Sequence, residues 1–434
     1  LLVMAVGLPW TGRAQIDPES RQLLQVGYTQ PLQGRGPLSG YAYYYHNHPG
    51  FIRTNWTLRL VVAPTYLDSE LGVRDALGPN TDVGFGLSGG GFADSYSEIR
   101  RGKLYREESF TGHGAETSLS LYHLFNPLPE GRKPTGLAEI PVQLVLRGAV
   151  RYSIYQRDDN TDPAFVIPED KIAGHVRAGV RWGGREPLME VPHAFELSAW
   201  YEGQFRTDTP AYGFNRDREI ESQTHLFWGR ALFAWEFTNR MHIEASVTSG
   251  TSIHADRLSA YRMGGTLALA SEFPLMIPGY YFQEISAERF MLLNGNFSVP
   301  LGEQFDALVF GSVAWVDYLE GLDLDPNRLS GVGGALGWTS PSGSWHIVVG
   351  YGYGFEAVRG DHEGAHNVGI LLQYDFEQGG MPKLPGMDGV RKAIRHLNPS
   401  TWRGFDRLLR WLDELAEQGA VPTPLFAQRG HARH

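Results

Sequence analysis

A two-residue alternation of apolar and polar side chains is the feature that most constrains the fold of this chain. The stretch 141–155 shows it most clearly. One face carries Val142, Leu144, Leu146, Gly148, Val150, Tyr152 and Ile154, and the other carries Gln143, Val145, Arg147, Ala149, Arg151, Ser153 and Tyr155. Because successive side chains of a β-strand point to opposite faces, the stretch predicts a strand with one face suited to hydrocarbon and one suited to water.

The alternation recurs along most of the chain from Gln15 to Phe376. Candidate strands are 38–46, 53–65, 81–93, 113–125, 141–155, 172–182, 195–206, 224–237, 241–249, 288–299, 304–316, 329–339, 344–355 and 366–376. A further strand at 21–31 or 104–111 raises the total from about 14 toward about 16, and an even number is expected of a closed bacterial barrel. Strands in a bilayer satisfy their backbone hydrogen bonds only by closing. The sequence therefore predicts an all-β fold, a closed antiparallel transmembrane β-barrel with a C-terminal helical tail.

A soluble β-sandwich or propeller is the alternative, because period two shows only that one face of each strand is buried. Two features favour the membrane barrel. Many candidate strands are longer than is usual in sandwiches, and an apolar face on every strand would need a second sheet to cover it in water.

Composition excludes several classes of function. The formal charge of −10 and the pI near 5.8 argue against nucleic-acid binding, which needs a basic face. Cysteine is absent, so no thiolate site is possible. The 15 histidines are scattered without metal-ligand spacing, so we expect neither a metal site nor a cofactor.

The two ends of the chain differ from the alternating region 15–376. Residues 1–14 contain an apolar run followed by Gly12 and Ala14, which favours a signal-peptide remnant over a buried N-terminal strand. Residues 377–434 are expected to form a periplasmic linker and an amphipathic helical tail. Its apolar residues at helical spacing are Trp402, Phe405, Leu408, Leu409, Leu412 and Leu415. The tail is predicted to bind a periplasmic protein partner, to lie on the membrane or to pack against its own chain.

The final third of the barrel region carries glycine-rich motifs of a known kind. They are Arg262-Met263-Gly264-Gly265, Pro278-Gly279-Tyr280, Glu288 to Asn294, Leu329 to Gly337, Tyr351 to Gly354 and Tyr374-Asp375-Phe376. In these motifs the chain resembles the outer-membrane assembly-factor superfamily, the BamA-type or bacterial surface-antigen proteins. The resemblance covers about a quarter of the chain and implies a barrel in the bacterial outer membrane, in contact with its lipid.

The resemblance also implies that the loop within Gly250 to Ala287 folds into the lumen. In the family that loop carries an Arg-Gly-Phe or Arg-Gly-Tyr tripeptide. The candidate lumen-loop residues here are Gly264, Gly265, Pro278, Gly279 and Tyr280. Pro278 stands at the position of the family's arginine, so the family's anchoring contact is not carried over. Strands begin soon after Gln15, so this would be a member without POTRA repeats.

Charged residues on the polar face of the middle strands are the candidates for lining the lumen. They are Arg147, Arg151, Arg177, Arg181, Glu196, Glu202, Arg206, Arg230 and Glu236. On neighbouring strands they would project into one lumen, where they form either a selectivity lining and a dock for the inward loop or a salt-bridged filler.

The sequence thus predicts an integral outer-membrane barrel of the BamA-like kind, acting in transport or insertion of protein or lipid across or into that membrane. We do not expect an enzyme. A passive porin-like channel is the first alternative. An outer-membrane lipid hydrolase is the second, although spacing alone nominates no catalytic triad.

Overall fold

The structure is a computed structural model that describes residues 16–17, 19–37, 39–127, 139–184, 193–266, 273–322 and 326–379. Its strands are β1 Arg21–Pro31, β2 Ser39–Pro49, β3 Trp56–Val62, β4 Tyr66–Val73, β5 Thr81–Gly90, β6 Tyr96–Arg100, β7 Lys103–Leu124, β8 Val142–Arg157, β9 Lys171–Gly183, β10 His193–Arg206, β11 Gln223–Glu236, β12 His242–Ile253, β13 Tyr261–Met263, β14 Ile285–Pro300, β15 Phe305–Tyr318, β16 Arg328–Thr339, β17 Trp345–Arg359 and β18 His362–Asp375. A short 3-10 turn, Phe214–Arg216, and a one-turn helix α1, Phe376–Gly379, accompany them.

The strands close into an antiparallel barrel of 16 strands, which confirms the predicted fold class. Each strand pairs with its neighbour in the chain, except that β6 pairs only with β7 and β13 only with β14. The ring closes between β1 and β18, in register from Leu23 opposite Asp375 to Pro31 opposite Asn367. Because all strands of the described chain belong to one sheet, the two-sheet sandwich alternative is excluded.

The outer face of the ring is apolar, as the alternation predicts. On β8, Leu146 and Val150 are 42% and 54% exposed, whereas Gln143 and Ser153, of the opposite parity, are buried. Exposed apolar side chains continue around the ring, for example Leu197, Phe233, Val309, Leu336 and Val349. A continuous apolar exterior on a closed barrel fits the hydrocarbon layer of a membrane.

The two ends of the barrel differ. The even number of strands puts the start of β1 and the end of β18 at one end, here called the terminal end. Short turns 301–304 and 340–344 lie there, whereas the segments 207–222 and 254–284 lie at the opposite end, the cap end. Within the described residues, no helix is long and apolar enough to cross a membrane.

Two strand predictions need correction. The segment 104–111 is not a separate strand of the ring; it is the outer part of β7, which extends beyond the barrel wall. The ring strand that the pattern missed is β4, because the candidate 53–65 ran through the turn 63–65 and absorbed the start of the hairpin β3–β4. Pro64 marks that turn, since proline cannot donate a ladder hydrogen bond. The predicted signal remnant 1–14 and tail residues 380–434 lie outside the described residues.

Candidate functional site in the lumen

A segment between β12 and β14 crosses the interior of the barrel. We call residues 264–281, of which 264–266 and 273–281 are described, the inward loop. Phe273 packs on Trp228 of β11, with ring centroids 4.1 Å apart. On the far side of the ring, the loop's Tyr280 carbonyl accepts a hydrogen bond from Asn367 of β18 at 2.9 Å. The loop therefore joins two parts of the wall that are separated by the ring strands β12 and β14 to β17.

Glycines make room for the loop on β16 and β17. Gly279 has φ +86°, a conformation that favours glycine, and it lies against the backbone of Gly354. A Cβ at Gly354 would come 2.8 Å from the Tyr280 ring, while a Cβ at Gly331 would meet the carbonyl of Pro278. The glycines of these strands thus allow the loop backbone to pack closely against the wall. Tyr280 is buried at 1% exposure.

Side-chain hydrogen bonds hold the loop where it leaves the wall. Thr266 contacts the side-chain oxygen of Asn367. The backbone N–H of Gly279 donates to Thr266 Oγ1 at 3.2 Å. These bonds join the two described pieces of the loop to each other and to β18.

A buried ion pair completes this anchor. Arg359 of β17 donates to both oxygens of Glu284, at 2.7 and 2.9 Å, and to the carbonyl of Gly279 at 3.3 Å. Its guanidinium lies 3.6 Å from the centroid of the Tyr281 ring. No local pattern predicts this role of Arg359, because Arg359 and Glu284 are 75 residues apart in the chain. An arginine of the barrel wall, Arg359, therefore binds the inward loop. The loop's own tripeptide begins with Pro278 and has no arginine to contribute.

The opposite wall receives Phe273 in an aromatic and cationic pocket, here called the Phe273 pocket. Trp200 and Trp228 stack on each other with centroids 5.5 Å apart. The guanidinium of Arg230 lies 4.5 Å from the Phe273 ring centroid, and those of Arg177 and Arg181 lie 5.7 and 5.9 Å away. Positive charge over an aromatic face is favourable.

Glu196 organises the cations of the Phe273 pocket. Its carboxylate accepts from Arg181 at 2.8 Å and from Arg230 at 2.6 Å, and it is fully buried. Ser198 donates to its other oxygen at 2.8 Å. The structure therefore brings Arg177, Arg181, Glu196 and Arg230 together. Sequence reasoning placed these charges on one face but missed the aromatic partners.

Of the other predicted lumen residues, Arg147, Arg151, Glu202 and Arg206 lie between this pocket and the cap end, whereas Glu236 lies at the terminal end of β11. Arg147 pairs with Glu116 at 2.7 Å, and Arg151 bridges Glu116 and Asp94. Arg206 pairs with Asp256 of the segment after β12. Among the described residues, Glu202 and Glu236 form no ion pair. The positive-φ glycines Gly264 and Gly265 turn the chain into the inward loop, at φ +126° and +109°.

Loops close over the lumen at the cap end. The cap comprises residues 96–110, 158–170, 207–222 and 254–260. Its apolar core consists of Tyr96, Phe110, Phe165, Tyr212 and Ile220. An aromatic core of this kind marks a packed layer rather than a set of free loops.

A buried ion cluster ties the cap together. Glu98, with no exposure, lies 3.4 Å from Arg100, Arg218 and Arg257 alike, and Arg218 also contacts Glu108. Burial lowers the pKa of Arg218 from its ordinary value. Burial also raises the pKa of the Tyr212 phenol well above its ordinary value of 10.0. The cluster joins Glu98 and Arg218, which are 120 residues apart in the chain, so no local sequence pattern predicts it.

The cap contacts the barrel wall on both sides of the inward loop, at β13 and at β17. Arg262, just before the loop, donates to the Ser97 carbonyl at 3.1 Å and lies 5.1 Å from the Tyr96 ring centroid. At the β6–β7 turn, Gly102 sits against Val358, and a Cβ there would come 2.7 Å from an Arg359 nitrogen. Cap, inward loop and β17 thus share one set of contacts around Arg359.

The described residues offer little for metal or hydrolytic chemistry. No group of three potential metal ligands occurs in that part of the chain. Among the residues that the structure describes, histidine rings hydrogen bond with the side chains of Tyr44, Thr81, Gln156, Tyr201, Thr339 and Tyr351 and with the backbone N–H groups of Phe92 and Glu236, and none with a serine hydroxyl. The polar residues of the lumen hold protein segments to one another.

Solved structures share this fold. CdiB from Escherichia coli matches with a TM-score of 0.52 at 15% identity, covering 83% of this chain and 64% of that chain. CdiB from Acinetobacter baumannii matches with a TM-score of 0.51 at 12% identity, covering 82% and 60%. BamA from Haemophilus ducreyi, lacking POTRA domains 1-3, gives 0.48 at 12% identity, covering 82% and 70%.

The two likenesses to CdiB show a shared fold and nothing further. The chain spans less than two thirds of the length of both CdiB chains. No protein-family model matches the sequence, and no curated protein matches it either. The barrel architecture expected from the sequence resemblance is confirmed, and this chain shares it with CdiB.

Proposed function

We propose that this protein is a bacterial outer-membrane barrel of the BamA-like kind that moves protein or lipid across or into that membrane, with the inward loop as its plug. One observation carries the proposal. The inward loop spans the lumen and is anchored on both walls, by Phe273 on β10 and β11 and by Tyr280 on β16 to β18. A passive pore leaves an aqueous channel through its barrel, so this arrangement favours a gated platform.

The exterior supports the outer-membrane location. Tryptophans stand at the terminal ends of several strands with the parity of the outward face. They are Trp182, Trp235, Trp338 and Trp345. Aromatic side chains at this level form the girdle that meets lipid headgroups in outer-membrane barrels. Outer-membrane lipid is thus a proposed partner of this protein.

A reversible lock on the loop tests the proposal. Because Thr266 and Asn367 touch, the variant Thr266→Cys/Asn367→Cys is designed to fix the loop to β18 by a disulfide. In bacteria lacking the native gene, we expect the oxidised variant to leave outer-membrane protein or lipid composition disturbed, and reductant to restore it. Thr266→Cys alone is the control. Full rescue by the locked form would overturn a role for loop movement.

Single-channel recording separates the platform from the passive pore. We expect wild-type protein in planar bilayers to be closed or to flicker, because loop and cap occupy the lumen. Replacing residues 264–281 by a short glycine-serine linker is expected to give large, steady openings. A wild-type protein that already conducts steadily would favour the porin-like alternative.

A further inference from the structure

We propose that the Phe273 pocket is a binding site for an aromatic side chain of a passenger polypeptide, and that Phe273 occupies it in the resting state as a built-in competitor. The inference rests on the proposed function and names the class of cargo. The pocket is asymmetric, because its walls belong to barrel strands whereas its occupant belongs to a loop.

The aromatic walls are fixed without help from Phe273. Trp200 and Trp228 are neighbours in the β10–β11 register and stack at an interplanar angle of 15°. The guanidinium of Arg177 lies 4.4 Å from the centroid of the Trp200 ring. A strand-borne stack of this kind keeps its shape when a loop side chain leaves.

The cationic walls are fixed in the same way. Glu196 holds Arg181 and Arg230 through short hydrogen bonds that do not involve Phe273. Withdrawal of the phenyl ring would leave a ring-sized space bordered by the stacked indoles and by the guanidiniums of Arg181 and Arg230. Such a space favours another aromatic ring over an aliphatic one, because only the aromatic ring has a negative face for the cations.

One polar group of the pocket adds a further requirement. The indole Nε1 of Trp200 is buried and has no hydrogen-bond partner in the described part of the structure. Buried indole N–H groups usually find an acceptor. A ligand that offers a carbonyl or carboxylate beside its ring would supply one.

This chemistry distinguishes between the two cargoes of the proposed function. Polypeptides carry aromatic rings beside backbone carbonyls, whereas lipid acyl chains carry carbonyls but no aromatic ring. The pocket therefore favours a polypeptide passenger. An aromatic residue that enters it would displace Phe273, so that cargo recognition and release of the inward loop become one event.

Small aromatic acids test the pocket directly. Purified Phe273→Ala protein is titrated with 3-phenylpropionate and with 3-cyclohexylpropionate, and binding is followed by calorimetry. We expect the aromatic acid to bind at least tenfold more tightly than its saturated analogue, and at least tenfold more tightly to Phe273→Ala than to wild type. Phe92→Ala, which alters an exposed phenylalanine at the cap end, is the matched control and should behave as wild type.

A second variant guards against misfolding and against non-specific uptake. Phe273→Ala/Arg230→Met removes one cation and should lose most of the aromatic preference. Heat-modifiable migration in SDS gels verifies that each variant is a folded barrel. If a variant that carries Phe273→Ala is not folded, Phe273→Leu is used in place of that change. Equal binding of the two acids, or equal binding by wild type and Phe273→Ala, would overturn the proposal.

The outcome is separable from that of the proposed function. If 3-phenylpropionate fails to bind while the loop lock still abolishes rescue in bacteria, the pocket proposal fails and the gated platform stands. If the acid binds but the locked protein rescues fully, the site exists without the transport role.

Discussion

At the scale of single residues, Arg359 is where the cap, the inward loop and the wall meet. Its side chain and that of Glu284 are 3% and 2% exposed. A buried charge that loses its partner is costly, whereas exchanging both members for apolar residues of similar volume is often tolerated. The Glu284–Arg359 pair should therefore respond very differently to single and double substitution.

The Glu284→Ala variant leaves the Arg359 guanidinium buried without its carboxylate. We expect it to weaken docking of the inward loop by roughly 3–5 kcal/mol, seen as frequent channel openings and faster proteolysis within the loop. Glu284→Leu/Arg359→Met should be milder. The exposed Arg35→Ala serves as control. If Glu284→Ala behaves like Arg35→Ala, the pair does not anchor the loop.

Glycine substitutions test the close packing of the loop on β17. Gly354→Ala places a methyl group 2.8 Å from the Tyr280 ring and 3.0 Å from the Pro278 carbonyl. We expect a loss of about 1–3 kcal/mol in loop docking, as is typical of overpacking. Gly148→Ala makes the same change where a Cβ meets nothing within 4 Å. Open probability in bilayers compares the two, and equal values would contradict the packing.

At the scale of elements, the cap carries a pH dependence. Burial raises the Tyr212 pKa in the closed cap, whereas an opened cap returns the phenol to about its ordinary value of 10.0. The contribution of Tyr212 to closure is therefore complete below pH 10 and is lost as pH rises beyond it.

The matching variant is Tyr212→Phe. The Tyr212 hydroxyl has no hydrogen-bond partner among the described residues, so its removal should cost little at pH 7. We expect cap cleavage by an alkaline-active protease to rise less between pH 9 and about pH 11 in Tyr212→Phe than in wild type. Identical pH profiles would show that this phenol does not govern closure.

Elements also show which parts of the fold were predictable. A strand of the wall can be recognised from its own residues, because lipid on one side and the lumen on the other impose a two-residue period. That is why β8 to β11 were predicted nearly to the residue. The cap and the inward loop obey no such period. Asn367 and Tyr280 are 87 residues apart, and their contact depends on the closed ring that brings β18 beside the loop.

The candidate site was predictable to a similar degree. Parity alone placed Arg177, Glu196 and Arg230 on the inner face. Parity also put Trp200 on that face. The contact between Trp200 and Phe273 could not be predicted, because nothing in the strand sequence indicates which residue packs on an inward-facing aromatic ring. Sequence spacing cannot pair residues on different strands with a loop more than 40 residues away.

At the scale of the whole molecule, the ring is closed by the seam between β1 and β18. Gln25 and Gln373 face each other across it and their side chains hydrogen bond at 2.8 Å. We expect Gln25→Cys/Gln373→Cys to form a disulfide without distortion, seen as a mobility shift of the boiled, unreduced protein. Gln25→Cys alone is the control. Failure to cross-link would argue that the seam is open in the membrane.

The central claim is that the inward loop fills the lumen with Phe273 docked on β10 and β11. Labelling of single cysteines in intact bacteria by a membrane-impermeant maleimide tests this most directly. We predict that Phe92→Cys, 60% exposed at the cap end, reacts rapidly, whereas Phe273→Cys stays unlabelled until the cap and loop are released by denaturant. Labelling of Phe273→Cys as fast as Phe92→Cys would place the loop outside the barrel and contradict the account.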